Sequence, residues 1–108
     1  MKNLGGLMKQ IQEMQARMAE VQAELEELRV TGTSGGGMVQ ATLNGKQELL
    51  EIKIEPEVID PAEKEMLEEL VVAAVSQARE KATELQKTKL GEVTGGLSIP
   101  GLGGSFPF

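Results

Sequence analysis

An apolar seam with alternating spacings of three and four residues marks the first quarter of the chain. This is the a/d pattern of a coiled coil, and it predicts one amphipathic helix over residues 3–28. A helix cannot bury such a stripe against itself. The seam therefore packs either on the rest of this chain or on a second copy of the protein, and the pattern alone leaves both open. Its members are Leu4, Leu7, Ile11, Met14, Met18, Val21, Leu25 and Leu28.

The period then changes from that of a helix to that of strands. A short run of β-branched residues over 30–34 predicts a first strand, and an alternating second strand over 38–43 follows a connection of three glycines. Asn44 and Gly45 are the pair typical of a two-residue type I′ hairpin turn. A third strand is therefore expected over residues 46–54, which gives an antiparallel three-stranded sheet.

The two-residue turn also predicts a register for the hairpin. It pairs Leu43 with Lys46, and counting outward places Val39 opposite Leu50. In this register one face of the sheet is apolar and the other is largely polar, as expected for an antiparallel sheet covered on one side. The predicted apolar face consists of Val39, Ala41, Leu43, Leu50, Ile52 and Ile54.

A second amphipathic helix is predicted over residues 61–89. Asp60 is interpreted as its N-cap, with Pro61 at the first helical position, a combination typical of a helix start. Small alanines on its apolar face allow the sheet or another helix to approach closely. The predicted apolar face consists of Leu67, Leu70, Val71, Ala74, Val75, Ala78, Ala82 and Leu85.

From Gly91 onward the composition changes to Gly, Ser and Pro with isolated apolar residues. This predicts a single domain over residues 1–90 and a flexible C-terminal tail over 91–108. The fold class is therefore α+β, with the order helix, three strands, helix and tail.

The chain contains no His, Cys, Tyr or Trp. General acid–base, nucleophilic and metal chemistry usually draw on His, Cys, Tyr or converging Asp, and the chain has a single Asp, so we predict no catalytic residue, metal site or cofactor. The glycine-rich segment 32–37 has part of the spacing of a phosphate loop, but the Lys is missing and a strand follows, which favours a β-turn. No apolar run is long enough to span a membrane, and we expect a cytoplasmic protein with no membrane partner.

The net charge of −6 is unevenly distributed. Residues 23–70 carry twelve acids and four bases, whereas residues 1–22 carry three bases and two acids, and residues 71–108 carry four bases and three acids. If both helices pack antiparallel on one face of the sheet, these basic ends meet at a tip. Contacts from such a tip to phosphates are salt-dependent and largely independent of sequence; the alternative is ordinary solvated helix ends. The candidate DNA-binding residues are Lys2, Lys9, Arg17, Arg79, Lys81, Lys87 and Lys89.

Several segments together resemble the YbaB/EbfC family of bacterial nucleoid-associated proteins. The similarity covers nearly the whole chain in the right order, and it is the joint occurrence of the segments that is specific. The segments are Leu7–Gln15, Val30-Thr31-Gly32 with the glycines that follow, Asn44-Gly45, Ile52–Pro56, Lys64–Val71 and Pro107-Phe108.

The resemblance implies three antiparallel strands between long helices, in a tweezer-shaped homodimer. It also implies non-enzymatic binding of duplex DNA with weak sequence preference, a role in nucleoid organisation and gene regulation, and a nucleoid-associated location. It supplies no residue-level motif for DNA contact. The predicted dimer interface consists of Val39, Ala41, Leu43, Leu50, Ile52, Val71, Ala74 and Ala78.

The leading hypothesis is thus a dimeric nucleoid-associated protein that clamps duplex DNA between paired basic helical tips. The alternative is a protein-interaction scaffold or chaperone-like module, in which the tail over 91–108 contacts a protein partner. An enzyme is the third and least favoured hypothesis, because the side chains that usually carry catalysis are missing.

Overall fold

The computed structural model describes residues 4–94 and confirms the predicted α+β order. Short 3₁₀ turns at Gly35–Gly37, Pro56–Val58 and Pro61–Glu63 join the main elements. Within the described residues, no helix is long and apolar enough to cross a membrane. The main elements are α1 (Leu4–Glu27), β1 (Arg29–Ser34), β2 (Val39–Asn44), β3 (Leu49–Ile54) and α2 (Lys64–Thr94).

The three strands form one antiparallel sheet in the order β1-β2-β3. Strand β2 is central, and its Ala41 lies between Gly32 of β1 and Ile52 of β3. All three glycines of the β1–β2 connection adopt positive φ angles, which explains the choice of glycine there.

The predicted hairpin register is wrong. Val39 pairs with Ile54 rather than with Leu50, and Leu43 pairs with Leu49 rather than with Lys46. The loop has three residues instead of two, because the Asn44 amide donates to the Glu48 carbonyl oxygen at 3.0 Å. Its last residue, Gln47, takes the left-handed conformation with φ of 69°. Three-residue hairpin loops typically combine a type I turn with one such residue.

The side chain of Asn44 explains why the shorter turn is not used. Its Oδ1 accepts hydrogen bonds from the amides of Lys46 and Glu48, both at 3.0 Å, and its Nδ2 donates to the Glu48 carboxylate at 2.7 Å. Asn44 thus stabilises the wider loop. Gly45 does not have a positive φ, as a type I′ turn would require.

The shifted register also changes the apolar face of the sheet. Leu50 lies at an irregularity, since Thr42 pairs with Glu51 and Leu43 with Leu49, and its side chain is 47% exposed. The prediction that Leu50 lies on the covered face is therefore wrong. The remaining members are buried or half-buried: Val39, Ala41, Leu43, Ile52 and Ile54.

Two separate apolar clusters hold the fold together. The sheet core forms where α2 lies across β1 and β2, and it consists of Val39, Ala41, Leu43, Ala74 and Ala78. The arm core forms between α1 and the last turns of α2, and it consists of Val21, Leu25, Leu90 and Val93.

The sheet face is covered by α2. The arrangement supposed from the sequence, with both helices on that face, is not observed, because α1 packs in the separate arm core. The alanine stripe of α2 lets it approach β1 so closely that a Cβ on Gly32 would overlap the backbone of Ala74 and Ala78. With this face occupied, α1 meets the sheet only at its last turn, where the Gly45 amide donates to the Leu25 carbonyl. The remainder of α1 leaves the sheet together with α2.

Both predicted ends of α2 differ from the structure. Pro61–Glu63 form a separate 3₁₀ turn and α2 begins at Lys64, and the helix also ends later than predicted. The Asp60 carboxylate accepts from the Ala62 amide at 3.0 Å, so Asp60 is an N-cap as predicted, but of the 3₁₀ turn that precedes α2. The helix continues past Lys89 to Thr94, because Leu90 and Val93 are buried in the arm core. The proposed domain boundary at residue 91 thus falls inside α2. Residues 1–3 and 95–108 lie outside the described residues.

Candidate nucleic-acid interface

The molecule is elongated, with principal extents of 72 × 26 × 16 Å. Its long dimension comes from the arm, which we define as α1 together with residues 82–94 of α2. The Lys89 ammonium lies 3.1 Å from the Glu24 carboxylate, and Val93 lies beside Met14. These contacts show that the two helices of the arm run antiparallel and that α1 projects past the last described turn of α2.

Three of the candidate DNA-binding side chains are exposed and form no ion pair with any residue between 4 and 94. Lys9 lies on the projecting part of α1, and Arg17 lies near the last described turn of α2, eight residues or about 12 Å further along the helix axis. Arg79 lies on the outer side of α2, where it shares a shallow depression with Glu80 and Glu84. Lys9 has one acid within a helical turn, Glu13, whereas Arg17 has Glu13 and Glu20.

Three other candidates, Lys81, Lys87 and Lys89, already have partners within the chain. The Lys81 ammonium donates to the Thr31 carbonyl oxygen at 2.7 Å, which ties α2 to β1. Lys87 lies 3.8 Å from Glu84, one helical turn before it.

Lys89 is the most engaged of the basic residues, because its ammonium lies between Glu24 at 3.1 Å and Glu92 at 3.8 Å. The hydrogen bond to Glu24, and then the nearby charges of Glu24 and Glu92, raise the pKa of Lys89 above its ordinary value. The positive charge of Lys89 is thus paired with two carboxylates of the arm. Lys2 lies outside the described residues.

The structure places these side chains in separate groups. Lys81 contacts β1, so it and Arg79 lie at the level of the sheet. Lys89 is 12 Å further along α2 by the standard rise of about 1.5 Å per residue, beside α1. Lys9 and Arg17 lie further out, on α1. Among the candidates between residues 4 and 94, Lys9 and Arg17 are the exposed cations of the arm that form no ion pair.

One residue that supports the arm has no recognisable signal in the sequence. Gln47, in the hairpin loop, donates from Nε2 to the Thr83 hydroxyl at 2.8 Å and to the Gln86 side-chain oxygen at 3.4 Å. These bonds tie the loop to α2 where the arm begins. A polar residue two positions after an Asn-Gly pair gives no indication of such a long-range contact.

Most of the predicted dimer-interface residues are covered by their own chain. Leu50 is exposed, and Ile52 and Val71 are half-buried, so these three retain surface that a second copy can contact. The dimer interface itself stays a prediction. The members that the single chain already buries to 1% exposure or less are Val39, Ala41, Leu43, Ala74 and Ala78.

The sequence profile of the YbaB/EbfC DNA-binding family matches residues 1–97. The chain belongs to this family. It is 50% identical over 108 residues to a protein named nucleoid-associated protein from Gluconacetobacter diazotrophicus, with both chains covered completely. It is 46% identical over 100 residues to a protein of the same name from Alkaliphilus metalliredigens, covering 93% of this chain and 88% of the relative.

The fold is also similar to a solved structure. The uncharacterized protein HP0035 from Helicobacter pylori superposes with a TM-score of 0.71, covering 85% of this chain and 94% of that one. At 24% sequence identity this similarity shows a shared fold. The three strands between two long helices are thus an architecture that the YbaB/EbfC chain shares with a known structure.

The chemistry open to this YbaB/EbfC chain is electrostatic recognition. Guanidinium and ammonium groups donate hydrogen bonds to phosphate oxygens, and such contacts provide affinity without reading bases. Between residues 4 and 94 the structure contains no group of three or more carboxylates arranged to hold a metal ion. The exposed cations of the arm, Lys9 and Arg17, stay candidates for contact with phosphate.

Proposed function

We propose that this protein binds duplex DNA as a homodimer, through phosphate contacts made by the arm, and that it acts in nucleoid organisation and gene regulation. The observation that carries the proposal is the pair Lys9 and Arg17, which project from α1 without an acidic partner among residues 4–94. Membership in a DNA-binding family supports it, and the relatives' name supports association with the nucleoid.

The distribution of charge favours the arm as the site of contact. Between Leu4 and Glu20, α1 carries Lys9 and Arg17 against Glu13 and Glu20. Two acids nearer the sheet are paired with cations: Glu24 with Lys89 at 3.1 Å, and Glu26 with Lys46 at 3.3 Å. The outer part of α1 is therefore close to neutral on a protein whose net charge is −6, and its two cations form no ion pair with residues 4–94.

A second copy would double the number of phosphate contacts. Edge strand β3 offers a surface for it, because α2 covers β1 and β2 and leaves Leu49 and Leu50 exposed. Apolar side chains on an uncovered edge strand are typical of surfaces that pair with another chain. Two copies joined there would hold two arms, each with its own Lys9 and Arg17.

The test is a titration of labelled duplex DNA at about 50 mM and about 200 mM salt, where each phosphate neutralised contributes about −0.9 to the log–log slope. Four contacts, two from each arm, predict a slope of about −3.6. Arg17→Glu should weaken binding strongly. Lys64→Glu makes the same change in net charge at the far end of α2, also at an exposed cation, and is the matched control.

Two results would overturn the proposal. Absence of binding at about 50 mM salt would exclude phosphate clamping, since electrostatic affinity is highest at low ionic strength. Equal losses for Arg17→Glu and Lys64→Glu would show that net charge, rather than the arm, determines affinity. Sedimentation of the same samples reports whether the DNA-binding species is a dimer.

A further inference from the structure

The apolar seam of α1 is buried only where α2 lies beside it. Val21 and Leu25 are 6% and 2% exposed, in contact with Leu90 and Val93. Further out, the exposure rises to 49% at Ile11, 53% at Leu7 and 66% at Leu4. We call these last three residues the open seam. They continue the same stripe for about two turns past the last described turn of α2.

A groove runs along this part of α1. Its apolar wall is formed by Leu7, Ile11 and Met14, with Val93 of α2 closing one end. The groove encloses about 430 Å³ and is open to solvent along its length. Its rim is polar and consists of Gln10, Glu13, Gln15 and Arg17. A mainly apolar lining with a few polar groups is typical of clefts that bind an apolar ligand.

The chain itself continues from the closed end of this groove. Val93 forms that end, α2 is described to Thr94, and residues 95–108 follow. Because α2 runs antiparallel to α1, its direction at Thr94 points along α1 toward Leu4. The following residues include no charged side chain but five large apolar ones: Leu97, Ile99, Leu102, Phe106 and Phe108.

The length of the segment after Thr94 also matches the length of the open seam. From Met14 to Leu4 the helix rises about 15 Å, at about 1.5 Å per residue. An extended chain advances at most about 3.3–3.6 Å per residue, so residues 95–102 can span the open seam with length to spare. Ile99 precedes Pro100, and a residue before proline is biased toward extended conformations.

We propose that residues 95–102 pack in this groove, extended along the open seam of their own chain. Leu97 and Ile99 then cover Ile11 and Leu7, and the segment takes over as the partner of α1 where α2 ends. The connection through Thr94 favours this occupant over a second copy, since a short tether gives an effective concentration in the millimolar range. The packed segment would stiffen the part of α1 that carries Lys9.

Disulfide trapping tests this placement cleanly, because the natural chain contains no cysteine. In Leu7→Cys/Ile99→Cys, mild oxidation should give an intrachain disulfide that migrates as a monomer on a denaturing gel. The control Lys9→Cys/Ile99→Cys places the cysteine at nearly the same height but on the opposite side of α1. At micromolar protein, we expect the first pair to react about 10²-fold faster than any interchain reaction.

Three outcomes would overturn the proposal. Equal rates for the two pairs would show that the segment has no preferred side of α1. A disulfide between two chains of the single variant Leu7→Cys would assign the open seam to a second copy. An interchain product from a mixture of the two single variants, Leu7→Cys and Ile99→Cys, would place the segment on its partner's groove instead.

Hydrogen exchange provides a second measurement that needs no cross-link. Leu97→Asp/Ile99→Asp/Leu102→Asp removes the proposed contacts, and amides of residues 7–14 should then exchange about fivefold faster or more. Ser98→Asp/Gly101→Asp/Ser105→Asp adds the same charge but keeps the apolar side chains, so exchange should stay close to that of the natural chain. The same exchange rates in both variants would contradict the packing of this segment on α1.

Discussion

The amide of Gly45 lies 2.8 Å from the carbonyl oxygen of Leu25 and donates a hydrogen bond to it. The same amide lies 3.2 Å from the carbonyl of Leu28. The last carbonyls of a helix have no partner within the helix, so a donor from elsewhere must satisfy them. Here the β2–β3 hairpin provides it, which fixes the end of α1 against the sheet and sets the direction in which the arm leaves.

Gly45→Ala should destabilise the protein. The added Cβ would lie 2.7 Å from Leu25 Cδ2 and 2.8 Å from the Leu25 carbonyl oxygen, and the backbone oxygen cannot move aside by changing rotamer. Overpacking of this kind costs about 1–3 kcal/mol. Thermal and urea unfolding, followed by circular dichroism, measure the loss. The control is Gly6→Ala in α1, where an added Cβ has nothing within 4 Å, and this variant should gain up to about 1 kcal/mol of stability. Equal losses of stability in the two variants would contradict the close contact between Gly45 and Leu25.

The Asn44-Gly45 pair shows where sequence interpretation was right and where it failed. The pair correctly predicted a hairpin and the two strands around it. The turn type was wrong, because the bonds of the Asn44 side chain and the contact of Gly45 with Leu25 stabilise a wider loop. Leu25 lies twenty residues earlier, and a local turn preference contains no information about it.

Gly32→Ala should be more severe than Gly45→Ala. A Cβ at Gly32 would overlap the Ala74 carbonyl oxygen and the Ala78 amide, so α2 must lift from the sheet as a whole. We expect a loss of about 3 kcal/mol or more, a large share of the stability of a typical domain. Urea unfolding measures it. The control is Gly91→Ala in α2, where an added Cβ would have nothing within 4 Å. A loss of stability for Gly32→Ala no larger than for Gly91→Ala would contradict the close approach of α2 to β1.

Gln47 offers a comparison of backbone strain with side-chain bonding. Both Gln47→Ala and Gln47→Gly lose the bonds to Thr83 and Gln86, but only glycine adopts a φ of 69° without steric cost. The glycine variant should therefore be more stable than the alanine variant by about 1 kcal/mol. Chemical denaturation of the two variants side by side measures this difference. Equal stabilities would show that the left-handed conformation carries no strain here.

The arm also shows that local sequence patterns predict elements but not the long-range contacts between them. Periodicity correctly predicted α1, α2 and the seam. The offset between the helices was not predictable, because it depends on long-range contacts such as the pair formed by Lys89 and Glu24. That offset decides that Val21 is buried and Leu7 exposed. It also separates Lys81, beside the sheet, from the basic residues of α1.

Lys9→Gln and Lys89→Gln should affect DNA binding differently, although both remove one positive charge. Lys9 forms no ion pair with residues 4–94, so its ammonium is free to contact phosphate. Lys89 is held by Glu24 and Glu92. In a dimer, Lys9→Gln should reduce the magnitude of the salt slope by about 1.8, at about 0.9 per phosphate. Lys89→Gln should leave the slope nearly unchanged and lower the thermal midpoint, because two carboxylates lose their partner. Titrations at several salt concentrations measure both slopes, and a larger change for Lys89→Gln would place the contact on α2 instead of on the outer part of α1.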